Sequence, residues 1–262
     1  MSIYYNDIDP YCCKVLRARI ADGLLPQGDV DETDIRSVSG DTLRRYQQLH
    51  LFAGIGGFPL GMRMAGFPED ISVITGGFPC QDVSVGGRQA GLNGQRSTLW
   101  FEYYRIIRDL RPQWVLAENV CGILSNESGR FFGRVLSDLA NGGYHATWQV
   151  LCARDFGAPH LRQRVFIVAN RNSQRIKGFW KRPLPKLPEF SWCQNVRSVE
   201  DLRNRSDIPE PLVRRNSHGI SPRMDKPGNA VVPGIVGYIC TLMMAAEDYT
   251  EIQVISALSQ DS

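Results

Sequence analysis

The sequence predicts an α/β fold in which helices cover a mostly parallel sheet. Short apolar runs, typical of buried strands, alternate with longer stretches of helical periodicity. The strand candidates are SIYYN (2–6), QLHLF (48–52), ISVIT (71–75), QWVLA (113–117), YHATWQVLCA (144–153) and RVFIVA (164–169). Because helical segments separate most of these strands, we expect parallel neighbours joined by helical crossovers.

Helix signals support this alternation and also mark where it stops. Asp9 and Pro10 provide an N-cap and a first-turn proline for the first helix. The other helix candidates are an amphipathic stretch ending near Ala65, LWFEYYRIIRDL (99–110) and FFGRVLSDLA (131–140). From about residue 172 the periodicity is lost. We predict a body of residues 1–171, a small irregular region of residues 172–226, and a C-terminal helix within residues 227–262 that completes the body.

Composition limits the class of protein. A chain of 262 residues with 43% hydrophobic and 22% charged residues suits one large domain, or one domain with a small appendage. The seven cysteines form no CxxC pair. This pattern argues for reduced thiols and a cytoplasmic location, and against a disulfide scaffold or a zinc module. Because the N-terminal stretch MSIYYNDIDP is polar, we expect that it does not act as a signal peptide.

The charge-free segment 227–246 could be mistaken for a membrane span. Pro233, Gly234 and Gly237 interrupt it, so we expect a buried helix and no membrane partner. Charge is unevenly distributed: residues 171–226 hold 13 Lys/Arg against 6 Asp/Glu. A basic segment on a mildly acidic body indicates a polyanionic partner, although a solvated basic surface remains an alternative.

A glycine-rich turn follows the second predicted strand. LFAGIGGF (51–58) places Gly54, Gly56 and Gly57 where a strand passes into a helix, so that a ligand can approach the backbone. The GxGG spacing is not that of the dinucleotide fingerprint, and the acid expected about 20 residues downstream is missing. This disfavours a nicotinamide oxidoreductase. A plain tight turn remains an alternative.

Asp7 is a candidate for the missing acid. YYNDID (4–9) ends a predicted strand just before a helix, which is where a ribose-binding carboxylate is expected. If so, the nucleoside-binding strand precedes the strand of the glycine-rich turn in this chain. The alternative is that Asp7 caps the following helix.

A cysteine lies in a glycine- and proline-rich loop, GGFPCQDVS (76–84), where a predicted strand ends. The carboxyl ends of strands are where α/β sheets keep their active sites, but Cys80 needs activation because the thiolate is the reactive form. Glu118 in AENV ends another strand. Arg162 and Arg164 are two residues apart and point to the same face of an extended segment. Together these groups can hold a polar heterocycle; separately they can be a helix cap and a solvated strand edge.

Five motifs occur in a set order: LFAGIGGF, GGFPCQ, AENV, HLRQRVFIVA and GNAVVP (228–233). With them the chain resembles the DNA cytosine-5 methyltransferases over most of its length outside residues 172–226. The resemblance implies a Rossmann-like S-adenosylmethionine-dependent methyltransferase sheet with a small irregular target-recognition insertion. It also implies S-adenosyl-L-methionine as the cofactor and double-stranded DNA as the partner.

The resemblance implies a catalytic role for four positions. Cys80 matches the nucleophile that attacks cytosine C6. Glu118 matches the residue that meets N3, and Arg164 the contact to O2, with Arg162 beside it. Because cytosine C5 is a weak nucleophile and is inaccessible in a stacked duplex, this chemistry requires a flipped-out base.

Cofactor and DNA contacts are implied in the same way. The positions around the methionine part of the cofactor are Phe52, Gly54, Gly56 and Gly57; Asp7 matches the ribose-binding acid, Ile8 the adenine contact and Asn229 a residue that closes the pocket. Asp29 and Asp34 both qualify as the acid that contacts adenine. The DNA-contact candidates are Gln81 and Ser84 near the flipped base, and Trp180, Trp192, Arg197, Arg203, Arg205, Arg214 and Arg215 in the insertion.

The chain departs from the family pattern in three ways. The ribose-binding acid precedes the glycine-rich turn, His160 stands where the family often has glutamine, and the segment before GNAVVP is compressed. A compact, rearranged enzyme suits a phage or prophage origin, a monomer, and a cognate restriction endonuclease acting separately. The alternatives are an RNA cytosine-5 methyltransferase, which the intact PCQ disfavours, and an inactive DNA-binding relic.

Overall fold

The structure is a computed structural model that describes residues 3–79, 98–158, 160–182 and 230–258. Its strands are β1 (Ile3–Asn6), β2 (Gly28–Asp31), β3 (Gln48–Leu51), β4 (Val73–Gly76), β5 (Trp114–Val120), β6 (His145–Cys152) and β7 (Gln163–Asn170). Its α-helices are α1 (Pro10–Ala21), α2 (Gly40–Leu43), α3 (Gly57–Met64), α4 (Thr98–Leu110), α5 (Arg130–Asn141), α6 (Ser173–Ile176) and α7 (Pro233–Leu258).

The strands of the described residues form one sheet in the order β2-β1-β3-β4-β5-β7-β6. Neighbours among β1 to β5 are parallel, whereas β7 runs antiparallel to both β5 and β6. The predicted parallel-rich α/β fold is confirmed. The carboxyl ends of β1, β2, β3, β4 and β5 therefore meet at one edge of the sheet.

Two strands differ from the sequence prediction. The predicted ISVIT strand is displaced, because pairing with β3 and β5 begins at Val73 and extends to Gly76. The pattern of apolar residues did not predict β2, since Gly28–Asp31 is short, polar and partly exposed at the edge of the sheet. A four-residue edge strand lacks the apolar alternation that marks a buried one.

The predicted start of α1 is confirmed. Asp9 is the N-cap, and its Oδ1 accepts a hydrogen bond from the Tyr11 amide at 2.9 Å. Pro10 is the first helical residue, where a missing N–H breaks no helical hydrogen bond. The helix buries Leu16 and Ile20 in a cluster with Ile3 and Tyr5 of β1.

Helices cover both faces of the sheet. On one face α4 and α5 contribute Trp100, Tyr103 and Val135 to a buried cluster. On the other, α3 and α7 contribute Phe58 and Ile239. Burial on both faces explains why the central strands read as nearly continuous apolar runs rather than as alternating ones.

The close packing of α3 against α7 depends on Gly61. A Cβ atom at this position would lie 2.4 Å from the carbonyl oxygen of Pro233. The apolar C-terminal segment is therefore a helix packed on the body. Within the described ranges, no helix has both the length and the apolar character needed to span a bilayer.

Residues 172–182, at the start of the predicted irregular region, pack against the body. They form α6 and a 3₁₀ turn at Phe179–Lys181. Phe179 is buried, with its ring centroid 6.1 Å from that of Trp114. Residues 183–229 lie outside the described ranges, so the division into a body and a recognition region stays a prediction.

Candidate active site

The loops that carry most of the predicted site residues leave the sheet at its carboxyl edge. Asn6, the last residue of β1, pairs with Leu51, the last residue of β3. Leu51 in turn pairs with Gly76 at the end of β4. The segments that follow these strands are therefore neighbours, although they are far apart in the chain.

Asp7 and the glycine-rich turn are in direct contact. The Gly54 amide donates a hydrogen bond to Asp7 Oδ2 at 2.7 Å, and the Asp9 amide donates to Asp7 Oδ1 at 2.9 Å. Asp9, not Asp7, is the N-cap of α1. The helix-cap alternative for Asp7 is therefore wrong, and its carboxylate is fixed against the turn after β3.

Two apolar side chains accompany this carboxylate. Ile8 is 63% exposed, which is unusual for isoleucine. Phe52 has φ = 51°, a conformation that costs non-glycine residues roughly 1–3 kcal/mol, and its ring lies 6.2 Å from that of Tyr103. Exposed apolar surface beside a fixed carboxylate suits a ligand with both a polar and an aromatic part.

The two candidate adenine-contacting acids lie in different places. Asp29 lies within β2 opposite Tyr4, and its Oδ2 accepts a hydrogen bond from the Tyr46 hydroxyl at 2.5 Å. Asp34 follows the carboxyl end of β2, where its Oδ1 accepts from the Arg36 amide at 2.9 Å. Only Asp34 therefore follows a strand at the same edge as Asp7.

Glu118, Arg162 and Arg164 form one cluster. Glu118 Oε1 lies 3.0 Å from Arg164 Nε and 3.5 Å from Arg162 Nη2. Antiparallel pairing of β5 with β7 brings the groups together, because Val120 pairs with Arg164. The predicted common face of the two arginines is confirmed, and the cap and solvated-edge alternatives are wrong.

The cluster is shielded from water, and this changes its ionisation. Glu118 is only 8% exposed, so burial raises the pKa of its carboxyl group, while the two guanidiniums oppose that rise. Burial, together with the neighbouring Arg164, lowers the pKa of Arg162. A carboxyl group with a raised pKa can hold a proton and donate it to a ring nitrogen.

Asn119 ties this cluster to the loop that leads to Cys80. Its Nδ2 donates a hydrogen bond to the Phe78 carbonyl at 3.0 Å, and its Oδ1 accepts from the Val120 amide at 2.8 Å. The side chain is 2% exposed. The AENV motif includes Asn119, but the sequence alone assigns it no role, because this contact depends on the register of β4 and β5.

The GNAVVP segment contacts both parts of the site. A Cβ atom at Gly57 would lie 2.5 Å from the Val231 carbonyl oxygen, so this approach requires glycine. Arg162 Nη1 donates a hydrogen bond to the Ala230 carbonyl. The segment thus joins the glycine-rich turn to the arginine–glutamate cluster.

Several predicted site residues lie outside the described residues. They are Cys80, Gln81, Ser84, Trp192, Arg197, Arg203, Arg205, Arg214, Arg215 and Asn229. Trp180 is described, and its Nε1 donates to Thr147 Oγ1 at 2.9 Å. This contact gives Trp180 a packing role on β6.

Comparison with known proteins identifies the family. Residues 66–220 match the family model of the C-5 cytosine-specific DNA methylases. The chain belongs to this family.

Two curated relatives are type II methyltransferases. M1.ScrFI of Lactococcus lactis subsp. cremoris is 30% identical over 209 residues, which cover 79% of this chain and 45% of the relative. M.Eco47II of Escherichia coli is 30% identical over 218 residues, covering 80% and 43%. The chain thus spans about half the length of these two relatives. A solved structure, the Entamoeba histolytica methyltransferase EhMeth, matches with a TM-score of 0.45 and 15% identity, covering 65% of this chain and 52% of that one.

Proposed function

We propose that this protein is a DNA (cytosine-5)-methyltransferase that transfers a methyl group from S-adenosyl-L-methionine to C5 of a flipped-out cytosine. One observation carries the proposal. The Asp7–Gly54 contact and the Glu118–Arg162–Arg164 cluster meet at one edge of the sheet, beside the segment that leads to Cys80.

The Asp7 carboxylate held by the Gly54 amide and the exposed Ile8 beside it support this cofactor. When bound, S-adenosyl-L-methionine supplies an activated methyl group. Asp7 would hold the ribose hydroxyls, Ile8 would cover adenine and Asp34 would meet the adenine amino group. The positions assigned to the methionine part are Phe52, Gly54, Gly56 and Gly57, and Asn229 is assigned to closing the pocket. Asp34 is preferred to Asp29 because it follows the end of β2.

The cytosine chemistry falls to the second cluster. The Cys80 thiolate forms a bond to C6, and the displaced electron pair increases the nucleophilicity of C5. Glu118 gives its proton to N3, and Arg164 donates to O2. Transfer of the methyl group to C5 would leave S-adenosylhomocysteine. Loss of the C5 proton to solvent then re-forms the C5–C6 double bond as the C6–sulfur bond breaks, and N3 returns its proton to Glu118.

Arg162 and Asn119 position these groups. Arg162 bridges Glu118 and the Ala230 carbonyl, and Asn119 holds the Phe78 carbonyl, two residues before Cys80. Both contacts limit how far the reacting groups can move relative to one another. Preorganisation of this kind favours attack on a correctly placed base.

Double-stranded DNA is the proposed substrate, and the basic region 172–226 the proposed reader of sequence. Gln81 and Ser84 would contact DNA near the extruded base, and Arg197, Arg203, Arg214 and Arg215 its phosphates. A cytoplasmic monomer, a separate cognate restriction endonuclease and a phage or prophage origin complete the proposal.

The proposal also includes the order in which the two cofactor-binding segments, the one with Asp7 and the glycine-rich turn, occur along the chain. The unit with Asp7 precedes the glycine-rich turn, yet β1 lies next to β3 in the sheet. The family match begins at residue 66, after both units. Adjacent placement of strands that are connected in a different order would preserve the cofactor pocket.

Transfer of labelled methyl groups from S-adenosyl-L-methionine to unmethylated duplex DNA tests the function. We expect labelled 5-methylcytosine with wild type and with Cys121→Ser, a matched thiol control three residues after Glu118. We expect none with Cys80→Ser. Transfer to RNA alone would indicate the RNA enzyme, and cofactor binding without any transfer would indicate an inactive relic.

A further inference from the structure

A polar cleft opens at the edge of the sheet opposite the candidate active site. It has a volume of about 400 Å³ and is lined by Arg111, Arg171 and Arg175, with Ser72 and Asn170 among the other residues. This edge is where β4 and β5 begin and where the antiparallel β7 ends. No carboxylate belongs to the lining among the residues that the structure describes.

The positive charge of this cleft is only partly neutralised. Arg175 forms an ion pair with Glu247, whose Oε1 also accepts hydrogen bonds from Gln113 Nε2 at 2.6 Å and Trp114 Nε1 at 2.7 Å. Arg111 and Arg171 form no ion pair with a described residue. Two guanidinium charges are therefore left uncompensated at one site.

The cleft also has a surplus of hydrogen-bond donors. Asn170 is 1% exposed, and its Nδ2 has no acceptor among the described residues, although its Oδ1 accepts from the Asn172 amide at 2.7 Å. Arg175 Nε is buried and has no acceptor within the same described part. Buried donors without acceptors are destabilising and uncommon, and both of these belong to residues that line the cleft.

The backbone at Arg111 supports a role for its side chain. Arg111 follows α4 directly and has φ = 51°, a left-handed conformation that glycine adopts most easily after a helix. Its amide donates to the Ile107 carbonyl at 2.8 Å. An arginine therefore occupies a position where glycine would be the less strained residue, and this arginine lines the cleft.

We propose that this cleft binds a phosphate-type oxyanion. Guanidiniums match the geometry and charge of phosphate, and the two arginines that form no ion pair with a described residue, Arg111 and Arg171, would hold it. The phosphate group belongs either to a free anion or to the backbone of nucleic acid that passes the edge opposite the active site. This site is separate from the proposed catalytic groups and does not depend on them.

Thermal unfolding in phosphate and in chloride at equal ionic strength tests the site. We expect saturating phosphate to raise the Tm of the wild-type protein by about 3 °C or more relative to chloride. Arg111→Gln combined with Arg171→Gln should abolish this rise. The charge-matched control, Arg44→Gln with Arg108→Gln, removes two exposed arginines outside the cleft and should retain it.

A single variant separates lost binding from poor folding. Arg111→Gly removes the guanidinium and relieves the left-handed backbone, so its Tm in chloride should rise while its gain in phosphate shrinks. A protein that merely folded badly would lose stability in both buffers.

Duplex DNA binding distinguishes the two sources of phosphate. If the ligand is a nucleic-acid phosphate, the double variant should reduce the slope of log affinity against log salt by about 1 to 2 relative to the control. If it is a free anion, the slope stays unchanged while the phosphate-dependent Tm rise is lost. Equal wild-type Tm in phosphate and chloride, together with an unchanged slope, would overturn the proposal.

Discussion

At Glu118, burial and two guanidiniums act on one carboxyl group in opposite directions. Burial favours the protonated form, whereas Arg164 at 3.0 Å and Arg162 at 3.5 Å favour the ionised one. The net effect raises the pKa of the carboxyl group. A proton donor placed beside two hydrogen-bond donors is suited to the N3 and O2 edge of cytosine.

Replacing Glu118 should remove the proton donor without affecting the cofactor site. We expect Glu118→Gln to lower kcat for methyl transfer by about 10²- to 10⁴-fold, because glutamine cannot give up a proton. The wild-type rate should fall as pH rises through the raised pKa of Glu118. Glu102→Gln, which breaks an ion pair with Arg105 on α4, is the matched control and should keep its rate. Equal rates for both variants would exclude this role.

A substitution at Asp7 tests the proposed cofactor site. Asp7→Asn keeps the shape of the side chain and an acceptor for the Gly54 amide but removes the charge. We expect the Kd for S-adenosyl-L-methionine, measured by calorimetry, to rise by about tenfold or more, since hydrogen bonds to charged groups contribute roughly 1.5–3 kcal/mol. Asp41→Asn, at an exposed ion pair with Arg44, should leave the Kd unchanged.

A buried polar pair near the centre of the sheet joins two neighbouring strands, β3 and β4. His50 Nδ1 lies 2.7 Å from Thr75 Oγ1, linking β3 to β4 just before the glycine-rich turn and the Cys80 loop. Burial lowers the pKa of His50 from 6.5 to about 3. The imidazole is therefore neutral in the folded protein. Because protonation would disturb this buried pair, the stability of the junction between the two strands depends on pH.

The His50 pKa has a consequence for stability. The unfolded state binds more protons than the folded state between pH 6.5 and about 3, so stability falls as pH drops through this window. From pH 7 to pH 5 we expect His50 to account for a loss of about 2 kcal/mol in the free energy of unfolding. His50→Gln should remove that contribution in denaturant titrations, and the exposed control His145→Gln should retain it. An unchanged slope in His50→Gln would contradict the assignment.

Two helical glycines should respond to alanine with opposite signs. At Gly61 a Cβ atom would lie 2.4 Å from the Pro233 carbonyl oxygen, so Gly61→Ala should separate α3 from α7 and destabilise the protein by about 1–3 kcal/mol. At Gly133, within α5, a Cβ atom meets nothing within 4 Å. Gly133→Ala should therefore stabilise by about 0.5–1 kcal/mol. Urea denaturation measures both, and destabilisation by both would show that packing does not decide the sign.

Across the whole molecule, two edges of one sheet carry different chemistry. The carboxyl edge gathers Asp7, which follows β1, with Glu118 of β5 and Arg164 of β7, and the opposite edge holds the three-arginine cleft. This separation would allow the cleft to bind an anion without interference with the candidate active site. Strands from distant parts of the sequence end side by side in this sheet. The residues that meet at one edge therefore depend on the order of strands in the sheet more than on their order along the chain.

Sequence predicted the features that depend on local pattern. Short-range signals reveal the α1 start at Asp9–Pro10, most of the apolar strands, and the common face of Arg162 and Arg164. Contacts set by register were not predictable, such as Asn119 Nδ2 to the Phe78 carbonyl. The cleft around Arg111 depends on a left-handed residue after α4 and on three separate segments, so no local pattern could reveal it.

Covalent trapping on DNA tests the central claim most directly. A duplex that carries 5-fluorocytosine blocks loss of the C5 substituent, so the Cys80–C6 bond should persist after methyl transfer. With S-adenosyl-L-methionine present, we predict a denaturation-resistant protein–DNA adduct that mass spectrometry locates at Cys80, and no adduct with Cys80→Ser. Production of 5-methylcytosine by Cys80→Ser, or an adduct at a different residue, would contradict the account.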